Sequence, residues 1–172
     1  MRDALVLVDV VQTFEHEDGA RLLESFRSRH EGFVAALERA PGDGVPVVYA
    51  NDNFDVWDGD APRLVRAASE GRGGELVETI APRGGETFVV KPRYSAFDHT
   101  PLELILRELE VERLLVGGLS TEGCVAQTTI DARELGFKVT VLAKACATVD
   151  ERVEQVALEY LETVAGARIE RG

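Results

Sequence analysis

Strand-length apolar runs separated by segments of helical spacing constrain this chain more than any other feature of it. The runs fall at residues 5–8, 45–50, 88–90, 114–116 and 139–142, with a weaker one at 167–169. Each is apolar at consecutive rather than alternate positions, as expected of strands covered on both faces. Between them, Leu22, Leu23, Phe26, Phe33 and Leu37 mark one helical stretch, and Leu64, Val65 and Ala68 a second. Leu102, Ile105, Leu106 and Leu109 mark a third, and residues 125–135 and 153–164 form two more. Strands alternating with helices predict parallel pairing through right-handed crossovers. The chain is therefore expected to form a single three-layer α/β/α domain over residues 1–172, with a six-stranded, mostly parallel sheet. A Rossmann-like order 3-2-1-4-5-6 would set the ends of the first and fourth strands side by side.

Local punctuation agrees with this division. Thr100-Pro101 places a capping residue before a proline at the start of a helix, and Gly136 after Leu135 is a helix stop. Residues 51–85 are the least regular stretch and read as loop around one short helix. Following a strand, they lie at the carboxyl edge of the sheet, where α/β proteins bind ligands, and Trp57 is a candidate wall of that pocket.

Composition excludes several classes of function. A formal net charge of -12 opposes binding to phosphate backbones and anionic membranes, so a small molecule is a better partner than nucleic acid or lipid. The first apolar run ends at Asp9, too short for a signal core or a membrane span. With only two cysteines, reduced thiols and a cytoplasmic location are expected.

Reactive side chains follow the apolar runs: Asp9 after the first, Lys91 after the third and Cys124 beyond the fourth. A parallel sheet brings these strand ends to one edge. Cys124 opens a helical pattern after Gly117-Gly118, where unpaired N–H groups and the helix dipole favour the thiolate. Lys91 would stabilise charge, and Asp9 would accept the thiol proton and pass it to a leaving amine. Cys146 has no such surroundings and reads as packing, while His16, flanked by Glu15 and Glu17, reads as solvated. Neither nucleotide-binding glycine motif is present. A phospho-receiver reading using Asp9, Ser120 or Thr121, and Lys144 fails, because Lys91 stands where the acceptor aspartate would be.

Leu5-Val6-Leu7-Val8-Asp9 with Phe14, Lys91-Pro92-Arg93-Tyr94-Ser95-Ala96-Phe97, and Gly118-Leu119-Ser120-Thr121-Glu122-Gly123-Cys124-Val125 with Thr128 and Asp131-Ala132 occur in that order. Together they resemble the motifs of the isochorismatase-like cysteine hydrolases, a family that includes nicotinamidases, N-carbamoylsarcosine amidases and ureide-type amidohydrolases. The resemblance implies the fold of that family and a catalytic Asp9, Lys91 and Cys124. It also implies a cis peptide at Leu119–Ser120 and an oxyanion hole formed by the N–H groups of Ser120 and Cys124. The implied reaction is hydrolysis of a small linear amide, carbamoyl or ureide compound through a thioester, with no cofactor, in a dimer or tetramer. Alternatives within the fold are vinyl ether hydrolysis and an inactive binding module. Nicotinamidases carry a histidine-bearing metal cluster after the second strand, but this chain has no histidine between His30 and His99, so no metal is expected. Phe14, Asn53, Trp57, Tyr94 and Phe97 are the candidate pocket residues.

Overall fold

A computed structural model describes residues 1–172, the side chains of residues 41 and 42 excepted. The strands are β1 (Asp3–Val8), β2 (Val47–Asp52), β3 (Thr87–Lys91), β4 (Arg113–Leu119), β5 (Lys138–Ala147) and β6 (Arg168–Glu170). They form one sheet in the order β3-β2-β1-β4-β5-β6, parallel throughout. Alternate side chains of β1 serve two cores, as strand geometry requires. Ala4, Val6 and Val8 point to the layer holding α5 (Leu102–Glu108), α6 (Ala126–Glu134) and α7 (Glu151–Thr163). Leu5 and Leu7 point to the layer holding α1 (Gly19–Ser28), α2 (His30–Gly42), α3 (Ala61–Glu70) and α4 (Gly74–Ile80).

The helical punctuation works as expected at α6. Gly136 adopts φ 88°, and the Phe137 and Gly136 N–H groups donate to the Ala132 and Arg133 carbonyls, closing the helix in a Schellman motif. α5 starts one residue later than expected, with Pro101 at the N-cap rather than N1, and Thr100 Oγ1 accepts the Leu102 N–H at 3.2 Å.

Three segments depart from the sequence reading. The stretch around Leu22 to Leu37 is two helices, because the chain turns at Arg29, whose guanidinium goes to Glu154. Residues 51–85 contain two helices rather than one; α4 is seven residues long behind a glycine cluster, with Leu76, Val77 and Ile80 as its apolar residues. β5 runs on to Ala147 past a register shift against β4, so Lys144 is an exposed strand residue rather than one beyond the strand end.

The central pair β1 and β4 depends on a glycine. Val8 lies opposite Gly118, which has φ 144°, and a Cβ there would stand 2.1 Å from the Val8 carbonyl oxygen. Relief would require β1 and β4 to separate just where Asp9 begins. Gly118→Ala is expected to destabilise the fold by about 3 kcal/mol, read as a lower urea midpoint.

Candidate active site

Asp9, Lys91 and Cys124 come together at the carboxyl edge. Asp9 is the first residue past β1, where its N–H still donates to the Ala50 carbonyl before the chain turns off at φ 54°, a conformation Asp tolerates better than most residues. Lys91 is the last residue of β3 and lies in register with Asp52, the last of β2. The Asp52 N–H donates to Asp9 Oδ1 at 2.8 Å, so the ladder itself aims the carboxylate. Lys91 is fully buried, with Nζ 3.0 Å from Asp9 Oδ2, 3.5 Å from Cys124 Sγ and 2.8 Å from the Arg93 carbonyl oxygen. Those partners use the three protons of the ammonium group.

Cys124 sits inside a π-helical turn, Thr121–Val125, between β4 and α6, rather than on the first residue of a helix. The Leu119–Ser120 peptide is cis. Side chains hold this turn from several sides. Thr121 Oγ1 lies 2.7 Å from Glu154 Oε1 on α7, and Glu122 accepts from the Val149 N–H at 2.9 Å and from Thr148 Oγ1 at 2.8 Å. The Ala96 N–H donates to Thr128 Oγ1, tying the chain after Lys91 to α6.

The electrostatics differ from those of a thiolate at a helix end. Burial pushes the Cys124 thiol up and the neighbouring Asp9 charge pushes it further, with Lys91 only partly opposing them. Burial also raises Asp9, against the pull of Lys91 and the Asp52 N–H. For Lys91, burial disfavours the charge, but Asp9 and Cys124 outweigh it and hold the ammonium above its ordinary value. A thiol raised by burial, beside a carboxylate, suits general-base activation once a substrate carbonyl arrives.

A cleft of about 800 Å³ opens onto this group, lined by Asp9, Ser120, Gly123 and Cys124 at its base. A smaller cavity of about 530 Å³ near the chain's first residues, lined by Met1, Arg39 and Arg168, contains none of these groups. Of the proposed pocket residues, Tyr94 lines the cleft and is 69% exposed. Phe14 is in the core, with its ring centroid 5.6 Å from that of Phe26. Phe97 packs on Phe137 against the other core, and buried Asn53 caps the Asp55 N–H. Trp57 is 75% exposed and not among the residues lining the cleft.

Sequence reasoning passed over other residues that shape the site. Asn51 exchanges two 3.0 Å hydrogen bonds with the Val11 backbone and so fixes the chain after Asp9, and Gln12 and Phe54 line the cleft. Glu154 showed only as a polar residue within an amphipathic helix, yet it is 2% exposed and paired in bidentate fashion with Arg29 at 2.6 and 2.8 Å. Only its pairing distinguishes it from a solvated glutamate. Removing it leaves Arg29 without its carboxylate partner, with the Cys146 carbonyl as its remaining acceptor, and Thr121 with the Ala147 carbonyl alone. Glu154→Leu is expected to destabilise by about 3 kcal/mol in a urea titration.

The residues after β2 do not fit a histidine-bearing metal cluster. Asp52 Oδ1 accepts the Phe54 N–H at 2.6 Å, and among the described residues no group of three His, Cys, Asp or Glu is placed to hold a metal ion. Cys146 lies buried in β5 opposite Gly118, as packing requires. Among the described residues no helix is long and apolar enough to cross a membrane.

Comparison with known proteins gives a consistent set of relatives. The isochorismatase domain profile matches residues 3–170. Maleamate amidohydrolase of Pseudomonas putida is 29% identical over 160 residues, which cover 84% of this chain and 71% of that protein. The crystal structure of the nicotinamidase/pyrazinamidase PncA from Bacillus subtilis superposes with a TM-score of 0.79 at 30% identity, over 99% of this chain and 100% of that one. N-carbamoylsarcosine amidase from Thermoplasma acidophilum gives a TM-score of 0.73 at 29% identity, over 99% and 96% of the two chains.

Proposed function

This chain belongs to the isochorismatase family, and from that premise we propose that it is a cysteine-dependent hydrolase of a small linear amide, carbamoyl or ureide compound. One observation carries the reading: Asp9, Lys91 and Cys124, supplied by the ends of β1 and β3 and the turn after β4, lie in contact, with Asp9 and Cys124 lining one cleft. The named activities of the relatives, on maleamate, N-carbamoylsarcosine and nicotinamide, support a carbon–nitrogen bond as the target. Vinyl ether cleavage makes no use of a thiol nucleophile, which favours the amide reading.

In the proposed reaction Asp9 takes the thiol proton as Sγ bonds to the carbonyl carbon. Charge on the carbonyl oxygen is met by the N–H groups of Ser120 and Cys124. The tetrahedral intermediate collapses with cleavage of the C–N bond, the amine takes the proton from Asp9, and a thioester remains on Cys124. Asp9 then removes a proton from water as its oxygen attacks the thioester, and the departing sulfur recovers that proton. Lys91 keeps its own proton throughout and offsets the negative charge that moves between Asp9 and Cys124.

Ammonia release across a panel of small amides, carbamoyl compounds and ureides tests the activity. Acid quenching during turnover, followed by mass spectrometry, is expected to find the acyl group on the peptide containing Cys124. A linear product signal with no acyl adduct and no inhibition by thiol alkylation would remove the thioester. Because Asp9 must be ionised to accept the thiol proton, kcat/KM is expected to rise with pH through a value above the ordinary carboxylate value of 3.8. The alkaline fall, when Lys91 loses its proton, is expected above 10.5.

A cytoplasmic dimer or tetramer belongs to the same proposal. Val153, Val156 and Tyr160 stay exposed at helical spacing along α7, and Val153 also lines the cleft, which supports self-association beside the site. Light scattering is expected to give at least twice the chain mass, falling towards the monomer in Val156→Asp.

A further inference from the structure

The charge around the cleft is strongly one-sided. Asp9, Asp18, Asp52, Asp55, Glu122 and Asp150 line it, whereas its basic lining is Arg21, with His16 counted neutral at pH 7. Arg21 is already paired with Asp18, and Lys91 beneath the floor is paired with Asp9. Among the described residues, Asp52, Asp55, Glu122 and Asp150 enter no ion pair. Asp150 accepts the Val153 and Arg152 N–H groups, which hold its carboxyl below the usual range. A carboxylate on the substrate would therefore meet several like charges and no unpaired cation.

A second observation concerns the donor that does face the cleft. Gln12 lines it and is only 8% exposed. Its Oε1 accepts the Phe14 N–H at 3.1 Å, and among the described residues its Nε2 donates to no protein acceptor. That orientation presents an uncharged N–H donor, suited to a neutral oxygen, where recognition of an anion would call for Arg or Lys. Phe54 and Tyr94 add aromatic surface to the same lining, whose ring faces attract an ammonium group and repel a carboxylate.

We propose that the cleft selects amides whose acyl part carries a positive charge, accepts neutral ones less well, and rejects those bearing a carboxylate. This rests on the amide-hydrolase reading of the site. The bulk charge of -12 acts in the same direction, since a cleft lined by one sign of charge concentrates the opposite ion and repels its own.

Two measurements on the purified, assembled protein test it, so that any charge supplied by a second copy is included. The first compares kcat/KM for 3-aminopropanamide, succinamide and succinamate, a cationic, neutral and anionic amide of similar length. The expected order is cation, neutral, anion, with about tenfold or more between the extremes. The second needs no substrate. Methanethiosulfonate reagents carrying an ammonium, a methyl or a sulfonate end are allowed to label Cys124, with rates divided by those for a small free thiol and Cys124→Ala as blank. The ammonium reagent is expected to react about tenfold or more faster than the sulfonate, with the ratio shrinking as salt is raised to about 0.5 M. Asp55→Asn, at an exposed residue, is expected to lower the ratio. Equal or faster labelling by the sulfonate reagent, or preference for succinamate, would overturn the proposal. If no amide of any charge is hydrolysed while the ammonium reagent still labels faster, the amide-hydrolase reading fails but the charge preference of the cleft stands.

Discussion

Cys124→Ala is expected to lower kcat/KM by about 10⁴-fold or more while leaving the fold intact. The side chain is small and half-buried, and removing it takes a polarisable sulfur from beside the Asp9–Lys91 pair without opening a large cavity. The change in stability should stay within about 1 kcal/mol. Activity falls because the thiol that bonds to the carbonyl carbon in the proposed reaction is gone. Cys146, the other thiol, is buried in β5 and cannot substitute. Cys124→Ser tests the point from another direction, since it keeps the shape but presents a hydroxyl, a weaker nucleophile that Asp9 cannot readily deprotonate. Both variants are compared with the parent by ammonia release and by urea titration. Turnover by the alanine variant within tenfold of the parent would show that the sulfur forms no bond to the substrate.

The sheet was legible because its strands are apolar at every position, which follows from burial on both faces, and because they alternate with helices. Residues 5–8, 88–90 and 114–116 all fall inside observed strands, and the order placing β1 beside β4 is the one found. Lys91 was legible because it ends an apolar run, and Asp9 for the same reason. What the pattern could not convey was depth. Trp57 and Phe14 are both aromatic and close to the site in sequence, yet one is in solvent and the other in the core, a difference set by loop paths that no periodicity encodes. Glu154 was missed because its partners, Arg29 and the Thr121 hydroxyl, lie 125 and 33 residues away, and Gln12 because its place in the cleft lining is set by the path of the chain after Asp9. The thiolate expected of Cys124 followed from helix geometry alone, and the structure sets against it the burial of the sulfur and a carboxylate at its side.

The Asp9–Lys91 pair gives the second large effect, because the same two charges serve activity and stability in separable ways. Asp9→Asn removes the proton acceptor but can keep the hydrogen bond from the Asp52 N–H, and it leaves a fully buried ammonium group without its counter-ion. Lys91→Met does the converse, filling the lysine's space while leaving a buried carboxylate with Asp52 N–H as its main support. Each single change is expected to cost about 3–5 kcal/mol, the usual penalty for orphaning one member of a buried pair. The double variant removes both charges together and should recover most of that loss, giving a coupling energy of about 2 kcal/mol or more in a urea double-mutant cycle. Activity should not recover with it: all three variants are expected to fall by about 10³-fold or more, since neither proton transfer to Asp9 nor the charge balance from Lys91 survives. Alkaline titration separates the pair further. Lys91 is held above 10.5 in the fold, so its contribution to stability is complete below that value and is lost as pH rises through the folded one. That alkaline loss should be present in the parent and absent from Lys91→Met and the double variant. If the double variant is as unstable as the sum of the single changes, the two charges do not stabilise each other, and the role assigned to Lys91 in balancing Asp9 falls with that result.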